Sequence, residues 1–205
     1  MPNQTFYNLP EEKKERITQA IIDECSTHTF EHINLSNIVR NSNIPRGSFY
    51  QYFKDKSDVF DFVYGYIGQV KMKFIGDLMH PSHDIPFLKR FESVYIAGMH
   101  FASSYPKLMK AGQKMMESEI FKQNDMLKKA TDAAIQFYVN FIKIDQQKGL
   151  IRADIDPVLL ASVMIEFSNK VSLAEYMKDT VDQHAIDYKV KGLIDLIKRG
   201  IDAHV

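Results

Sequence analysis

The chain of 205 residues lacks several features that mark large classes of protein. Cys25 is its single cysteine, which excludes a disulfide within the chain. No apolar run approaches the ~18 residues that a membrane span needs, and the N-terminus has no apolar segment like that of a signal peptide. We therefore expect a cytoplasmic protein that does not bind membranes.

Sequence signatures of common catalytic sites are absent as well. The chain has no Gly-rich phosphate-binding loop, no nucleophile elbow, no cluster of metal ligands and no paired Glu-x-x-His motif of a di-iron bundle. We therefore do not expect an enzyme, a cofactor or a bound metal.

The overall charge is balanced, but its distribution along the chain is uneven. The sequence has 26 basic and 26 acidic residues, which argues against a general binder of polyanions. Between residues 33 and 57, four basic residues accompany one acidic residue, a local net charge of +3. A small positive region on an otherwise neutral protein is typical of a site-specific nucleic-acid binder.

That positive region begins with a short predicted helix. Apolar residues three apart, Leu35 and Ile38, define one helical face, and either Asn34 or Ser36 can cap the N-terminus of this helix. Asn43 then stands where the chain must reverse, because Asn tolerates the left-handed conformation that ends a helix.

A second short helix follows over residues 46–53, with Pro45 at its cap or first turn. A helix of this length is unstable alone, so we expect Phe49 and Phe53, four residues apart, to pack inward. The remaining side chains would then lie on or near the exposed side, and they comprise Arg46, Ser48, Tyr50, Gln51 and Tyr52. A guanidinium, an amide, a hydroxyl and two phenols on one short helix suit a DNA groove.

Lys56 has two interpretations. Asp55 and Asp58 stand three residues apart, a variant of the capping box that starts a helix, and Lys56 would lie in its first turn. Backbone amides beside a lysine at a helix start form a phosphate-binding position. The alternative is plain capping with a solvated lysine.

The run Ile44–Lys56, IPRGSFYQYFKDK, resembles the turn, the recognition helix and the following helix start of the TetR family of bacterial transcriptional regulators. The resemblance covers roughly residues 10–60 and joins a glycine after a basic residue, an aromatic cluster and a lysine three residues past a phenylalanine. The sequence departs from the family pattern at Val39, Asn43 and Pro45, and Pro45 offers no hydroxyl to a phosphate. The motif predicts DNA contacts from Asn34, Ser36, Pro45, Arg46, Gly47, Ser48, Tyr50, Gln51, Tyr52 and Lys56.

Amphipathic helices with turn residues between them predict an all-α fold throughout. We expect an N-terminal three-helix helix-turn-helix DNA-binding head over residues 1–56, within which residues 1–9 form a flexible arm. A helical effector-binding and dimerisation domain would occupy residues 57–205. Gly149 is expected to end a long helix in that domain.

The last two predicted helices carry regular apolar stripes that could serve either the core of the monomer or a dimer interface. The stripes comprise Leu160, Met164, Phe167, Val190, Leu193, Ile194, Ile197 and Ile201. Leu159 and Tyr188 broaden them enough to indicate a second contact. The family resemblance implies a homodimer, which would place two recognition helices one DNA turn apart, ~34 Å, on a palindromic operator.

The resemblance also implies a pocket for a small apolar or amphipathic effector that releases the protein from DNA. Methionines, which pack adaptably, cluster around residues 99–116. The predicted ligand-binding residues are Phe62, Tyr66, Tyr95, Met99, His100, Met116, Phe137 and Phe167, with His100 or Tyr95 as the polar anchor. A plain core with a hydrogen-bonded His100 is the alternative.

The favoured function is thus a ligand-responsive transcriptional regulator, a repressor, that binds double-stranded operator DNA. A helical protein–protein adaptor without sequence-specific DNA binding remains the alternative. An adaptor would share the amphipathic helices but would have no use for Arg46, Gln51 and Lys56 exposed together.

Overall fold

The structure is a computed structural model that describes residues 2–80, 84–122, 125–176 and 182–201. Helices account for the regular structure of these ranges, which contain no β-strand, so the predicted all-α fold class is confirmed. The α-helices are α1 (Gln4–Tyr7), α2 (Glu11–Cys25), α3 (Leu35–Asn41), α4 (Arg46–Tyr52), α5 (Lys56–Ile75), α6 (Phe87–Ser104), α7 (Pro106–Glu117), α8 (Glu119–Lys122), α9 (Asp125–Gln147), α10 (Pro157–Tyr176) and α11 (Gln183–Ile201). Two 3₁₀ helices span Phe30–His32 and Asp77–Met79. No helix in the described ranges has the length and apolar content that a membrane crossing requires.

Local sequence chemistry sets the boundaries of these helices. The Asn34 side chain accepts a hydrogen bond from the Ser36 amide at 2.9 Å, so Asn34 is the cap of α3. Asn43 has a φ of 51°, the left-handed conformation predicted for the turn between α3 and α4. Pro45 occupies the N-cap position of α4. Gly149 follows the end of α9 and has a φ of 71°, the left-handed conformation predicted for a glycine that closes this helix.

The chain divides into two compact units. The first comprises residues 1–74 and 99–124, and the second comprises residues 75–98 and 125–205. The first unit therefore contains the helix-turn-helix together with α7, α8 and most of α5. The functional division between residues 56 and 57 stays a prediction.

The core of the first unit includes two apolar clusters, each defined by contacts among described residues. The first is a group of aromatic rings in which Phe53 lies 5.1 Å from Phe6, 5.3 Å from Phe49 and 5.6 Å from Phe62. The second cluster joins buried side chains of four helices, α2, α5, α6 and α7, which are Ile22, Val70, Phe101 and Leu108. Aromatic packing thus joins α1, α4 and α5.

The prediction that residues 1–9 form a flexible arm is wrong. They include the helix α1, and Phe6 is only 1% exposed because its ring enters the aromatic cluster beside Phe53 and Phe62. Burial of a phenylalanine side chain contributes about 1.5–3 kcal/mol, which offsets part of the entropy cost of ordering this segment.

The core of the second unit is built by α6, α9 and α10. Its buried members are Phe87, Phe91, Tyr138, Val139, Phe141, Ile142, Ile151, Leu160, Ala161 and Met164, against which Ile194 and Ile197 of α11 pack. The prediction of a dimer interface at Leu160, Met164, Val190 and Leu193 is wrong, because all four are buried within the single chain. Phe167 is half-buried, and the side chain of Ile201 lies outside the described part of the structure.

A different set of apolar side chains on α10 and α11 is exposed. Leu159 is 64% exposed, Tyr188 81% and Leu196 71%, and Val163 is also exposed. Leu159 and Val163 are four residues apart and therefore share one face of α10. The regular apolar stripes thus serve the core of the monomer. The apolar side chains beside them, Leu159, Val163, Tyr188 and Leu196, are not covered by the single chain.

Candidate nucleic-acid interface

The orientation of α4 follows from its two phenylalanines. Phe49 and Phe53 are both fully buried, and their rings stack with centroids 5.3 Å apart. Arg46, Tyr50 and Gln51 consequently lie on the exposed side of the helix. The predicted inward and outward faces of α4 are therefore confirmed for these five residues.

A concave surface, which encloses an open cavity of about 430 Å³, adjoins this exposed face. Its lining residues come from the segment before α3, from α3 itself, from α4 and from the start of α5, and they are Glu31, His32, Ile33, Asn34, Leu35, Ser36, Arg46, Tyr50 and Lys56. The fold thus brings five of the predicted DNA-contacting residues to one surface, although they are spread over residues 34–56 of the sequence.

The side chains around this surface are held by specific contacts. The Arg46 guanidinium lies 5.9 Å from the centroid of the Tyr50 ring, a cation–π distance that limits the orientations of both groups. The Lys56 ammonium donates a hydrogen bond to the backbone carbonyl of Glu31 at 3.4 Å. Two cationic groups therefore face the same concave surface.

The start of α5 has the predicted capping pattern. The Asp58 amide donates to Asp55 Oδ1 at 3.1 Å, and the Asp58 carboxylate accepts from the Lys54 amide at 3.0 Å. Lys56 is half-buried in the first turn of this helix, beside the backbone amides that are left without helical partners. This arrangement is compatible with a phosphate contact.

Glu31 adds a negative charge to the rim of the same surface. Its own backbone amide, followed by the hydroxyls of Thr29 and Ser118, lowers the pKa of Glu31 to about 2, so the carboxylate is ionised at neutral pH. The Ser118 hydroxyl donates to Glu31 Oε1 at 2.8 Å. The surface therefore carries both signs of charge, unlike the surface of a general polyanion binder.

Three further predicted contact residues differ in accessibility. Tyr52 is only 5% exposed, because its ring packs against Phe6 at 6.3 Å and lies beneath the Lys13 ammonium at 5.6 Å. The expectation of an exposed Tyr52 ring is therefore wrong. Ser48 is half-buried, and a Cβ placed on Gly47 would meet no atom within 4 Å beyond its two chain neighbours and the backbone of its own helix. Gly47 thus leaves the backbone of α4 open to a close approach.

Two polar side chains that hold the helix-turn-helix together carry no clear signal in the sequence. Glu24 on α2 is buried, and its carboxylate accepts from the Asn34 amide at 2.8 Å and from Asn37 Nδ2 at 3.3 Å. Arg16 Nε donates to the backbone carbonyl of Ser42 at 2.8 Å. These contacts fix both ends of α3 to α2 through residues that sequence patterns assign to solvent.

The predicted ligand-binding residues are distributed between the two units. Phe62 is a core residue of the first unit, packed beside Phe6 and Phe53, and its assignment to a pocket stays a prediction. His100 and Met116 are exposed within the single chain, and their assignments stay predictions as well. The other assignments stay predictions, for Tyr66, Tyr95, Met99, Phe137 and Phe167. Within the described ranges, no group of three His, Cys, Asp or Glu side chains could hold a metal ion.

The chain resembles known proteins in its sequence and in its fold. No protein-family model matches the chain. Among curated proteins, the uncharacterised HTH-type transcriptional regulator YhgD of Bacillus subtilis (strain 168) is 20% identical over 155 residues, which are 76% of this chain and 80% of that protein.

Solved structures match over nearly the whole chain. A TetR family transcriptional regulator from Chloroflexus aurantiacus J-10-fl aligns with a TM-score of 0.73 at 21% identity, covering 98% of this chain and 99% of that chain. The fatty acid degradation regulator FadR from Bacillus halodurans aligns with a TM-score of 0.65 at 19% identity, covering 91% of this chain and 98% of that chain. The protein is thus an all-α chain with an N-terminal helix-turn-helix. Its fold is that of the TetR family of transcriptional regulators.

Proposed function

We propose that this protein is a transcriptional regulator that binds double-stranded operator DNA by placing α4 in the major groove. The observation that carries the proposal is the division of α4 into a fully buried face with Phe49 and Phe53 and an exposed face with Arg46 and Gln51. Arg pairs with guanine and Gln with adenine through two hydrogen bonds each, so these two side chains would read bases.

The neighbouring residues would contact the DNA backbone. Lys56 and the amides at the start of α5 suit one phosphate, and Tyr50, Ser36 and Asn34 supply hydrogen-bonding groups along the same concave surface. Phosphate contacts fix the register of the protein on the duplex, whereas base contacts supply its sequence preference. The low local charge of +3 keeps non-specific attraction small.

Gln51→Ala should weaken binding to the preferred operator by about 1–3 kcal/mol while leaving binding to random duplexes nearly unchanged, because a base contact is lost. Lys56→Ala should instead weaken binding to all duplexes alike and flatten the salt dependence, because a phosphate contact is lost. Fluorescence anisotropy with both duplexes at several salt concentrations measures both effects. Lys129→Ala on α9 serves as a lysine control. Equal losses for Gln51→Ala on both duplexes would contradict its role as a base reader.

We further propose that the functional unit is a homodimer formed through α10 and α11. Leu159, Val163, Tyr188 and Leu196 expose apolar surface on these helices, and covering such surface is the ordinary driving force of dimerisation. A two-fold dimer would carry two copies of α4 and would match a palindromic operator whose half-sites are ~34 Å apart.

Leu196→Arg should convert the dimer into a monomer, because it places a charge in the proposed interface without touching the core of the second unit. Sedimentation velocity measures the change, and operator affinity should fall together with the dimer fraction. Lys198→Glu, an exposed charge change on the same helix, is the matched control and should remain a dimer. A dimeric Leu196→Arg variant would contradict this interface.

The proposed effector is a lipophilic small molecule whose binding lowers operator affinity, so that the protein acts as a repressor. The similarity to a regulator of fatty acid degradation supports this ligand class. A ligand that binds the DNA-free protein more tightly than the DNA-bound protein shifts the population towards the DNA-free form. The size of this shift is set by the difference between the two affinities of the ligand. Thermal melting with a panel of fatty acids, followed by release of labelled operator, tests the proposal. A panel without any stabilising compound would count against it.

A further inference from the structure

The segment before α2 is fastened to the end of α4 that carries Gln51. From this contact we propose that Asn3 and Thr5 are positioning residues for Gln51, which hold the base-reading end of α4 in place without touching DNA. This inference rests on the proposed DNA-binding function.

Three hydrogen bonds join the two segments. The backbone amide of Asn3 donates to the backbone carbonyl of Tyr52 at 2.8 Å. The side-chain Nδ2 of Asn3 donates to the backbone carbonyl of Gln51 at 3.0 Å. The Thr5 hydroxyl donates to the same Gln51 carbonyl at 2.8 Å. The last four carbonyls of any helix lack partners inside the helix, so these donors supply what the last turn of α4 lacks.

Phe6 anchors the donors beside their acceptors. Its ring lies 5.1 Å from Phe53, 5.1 Å from Phe62 and 6.3 Å from Tyr52, and the side chain is almost completely buried. Asn3 and Thr5 are therefore tied to the same aromatic cluster as α4, and their hydrogen bonds do not depend on a loose arm. The anchor and the donors act on one short helix.

Such support matters because α4 is short and Gln51 lies in its last turn. Seven residues are fewer than an isolated helix needs to be stable, so neighbouring contacts decide how far the last turn opens. A side chain that makes two hydrogen bonds to one base must be held within about half an ångström of its productive position. The two donors on the Gln51 carbonyl restrict its backbone directly below the exposed amide.

The first test needs no DNA. In the double variant Asn3→Ala/Thr5→Val, amide hydrogen exchange in residues 46–53 should become about tenfold faster, because two hydrogen bonds to the last turn are lost. Exchange in α10 should stay unchanged, which controls for global destabilisation. Thr5→Ser, which keeps the hydroxyl, should exchange like the wild-type chain. Wild-type exchange rates over residues 46–53 in the double variant would overturn the proposal.

The second test measures base preference. The ratio of affinities for a selected operator and a random duplex should fall about tenfold in the double variant, while affinity for the random duplex is kept. In a Gln51→Ala background the same double change should lower the ratio no further, because it acts through Gln51. Additive losses, or equal losses on both duplexes, would overturn the positioning role.

The two tests separate failure of this inference from failure of the proposed function. A wild-type chain that selects no sequence from a random pool overturns the proposed function and the base-reading part of the inference with it. The exchange rates still decide, in that case, whether Asn3 and Thr5 hold α4.

Discussion

Phe53→Ala should lower the free energy of unfolding by about 3–5 kcal/mol, the usual cost of removing a buried aromatic ring from a packed core. Phe53 is fully buried and contacts three other rings, those of Phe6, Phe49 and Phe62. These rings come from α1, α4 and α5, so the cavity would weaken three elements at once. Urea denaturation followed by circular dichroism measures the loss.

The same change should also abolish operator binding, because the buried face of α4 fixes the orientation of the helix. Tyr50→Ala is the matched control on this helix, since Tyr50 is 42% exposed and its ring meets Phe49 only edge-on, with centroids 5.8 Å apart. The control should unfold within about 0.5 kcal/mol of the wild-type chain, as surface substitutions usually do, and should lose DNA affinity alone. A Phe53→Ala variant as stable as the control would contradict the account of how α4 is held.

Arg90→Met should destabilise the second unit by about 1–3 kcal/mol, because it removes the donor of two backbone carbonyls. Arg90 is fully buried; its Nη1 donates to the backbone carbonyl of Leu78 and, at 3.3 Å, to that of His80. Its guanidinium also lies 4.0 Å from the centre of the Phe141 ring. Methionine is of comparable length but supplies neither the donors nor the charge.

The loss from Arg90→Met should depend on pH through Asp145. Burial raises the pKa of Asp145, while the Phe87 amide, which donates to its Oδ2 at 2.6 Å, and the charges of Lys148 and Arg90 act in the opposite direction. Removing Arg90 should therefore raise the pKa of Asp145 further. A carboxyl whose pKa is higher in the folded state stabilises the fold below its unfolded value of about 4, and this stabilisation is lost as the pH rises.

We accordingly expect Arg90→Met to cost more at pH 7 than at pH 4.5, measured by urea denaturation at both values. Lys89→Met, next in sequence and exposed, removes the same charge from the surface and should show no such difference. Equal costs at the two pH values would show that Asp145 does not sense Arg90.

Local sequence rules predicted the helix-turn-helix well because its determinants lie within a few residues of one another. The left-handed Asn43, the cap at Asn34 and the inward pair Phe49 and Phe53 each follow from spacing and backbone preference. The end of the long helix at Gly149 follows for the same reason.

Contacts between distant parts of the sequence could not be predicted in this way. Phe6 reaches Phe53 across 47 residues of chain, and its neighbours Asn3 and Thr5 bond to Gln51. Burial of Tyr52 follows from the same packing against Phe6. Because that contact is distant in the sequence, the phenol of Tyr52 was expected to lie on or near the exposed side. The spacing of these residues in the sequence does not predict the contact between the N-terminal segment and α4.

The helical stripes of α10 and α11 illustrate a second limit. Periodicity identifies which residues share a face, but it does not say whether that face meets the chain itself or a partner. The regular positions, such as Met164 and Val190, are buried in the monomer, whereas Leu159 and Leu196 beside them are exposed. Buried charges such as Arg90 and Asp145 are equally invisible, because charged residues are assigned to solvent by default.

Selection of binding sites from a pool of random duplexes tests the central claim most directly, since it asks whether the exposed face of α4 reads DNA sequence. We predict enrichment of a palindrome with half-sites one helical turn apart, and loss of base preference at defined positions of each half-site for Gln51→Ala. Recovery of duplexes without a shared sequence, from a folded wild-type chain, would contradict the account.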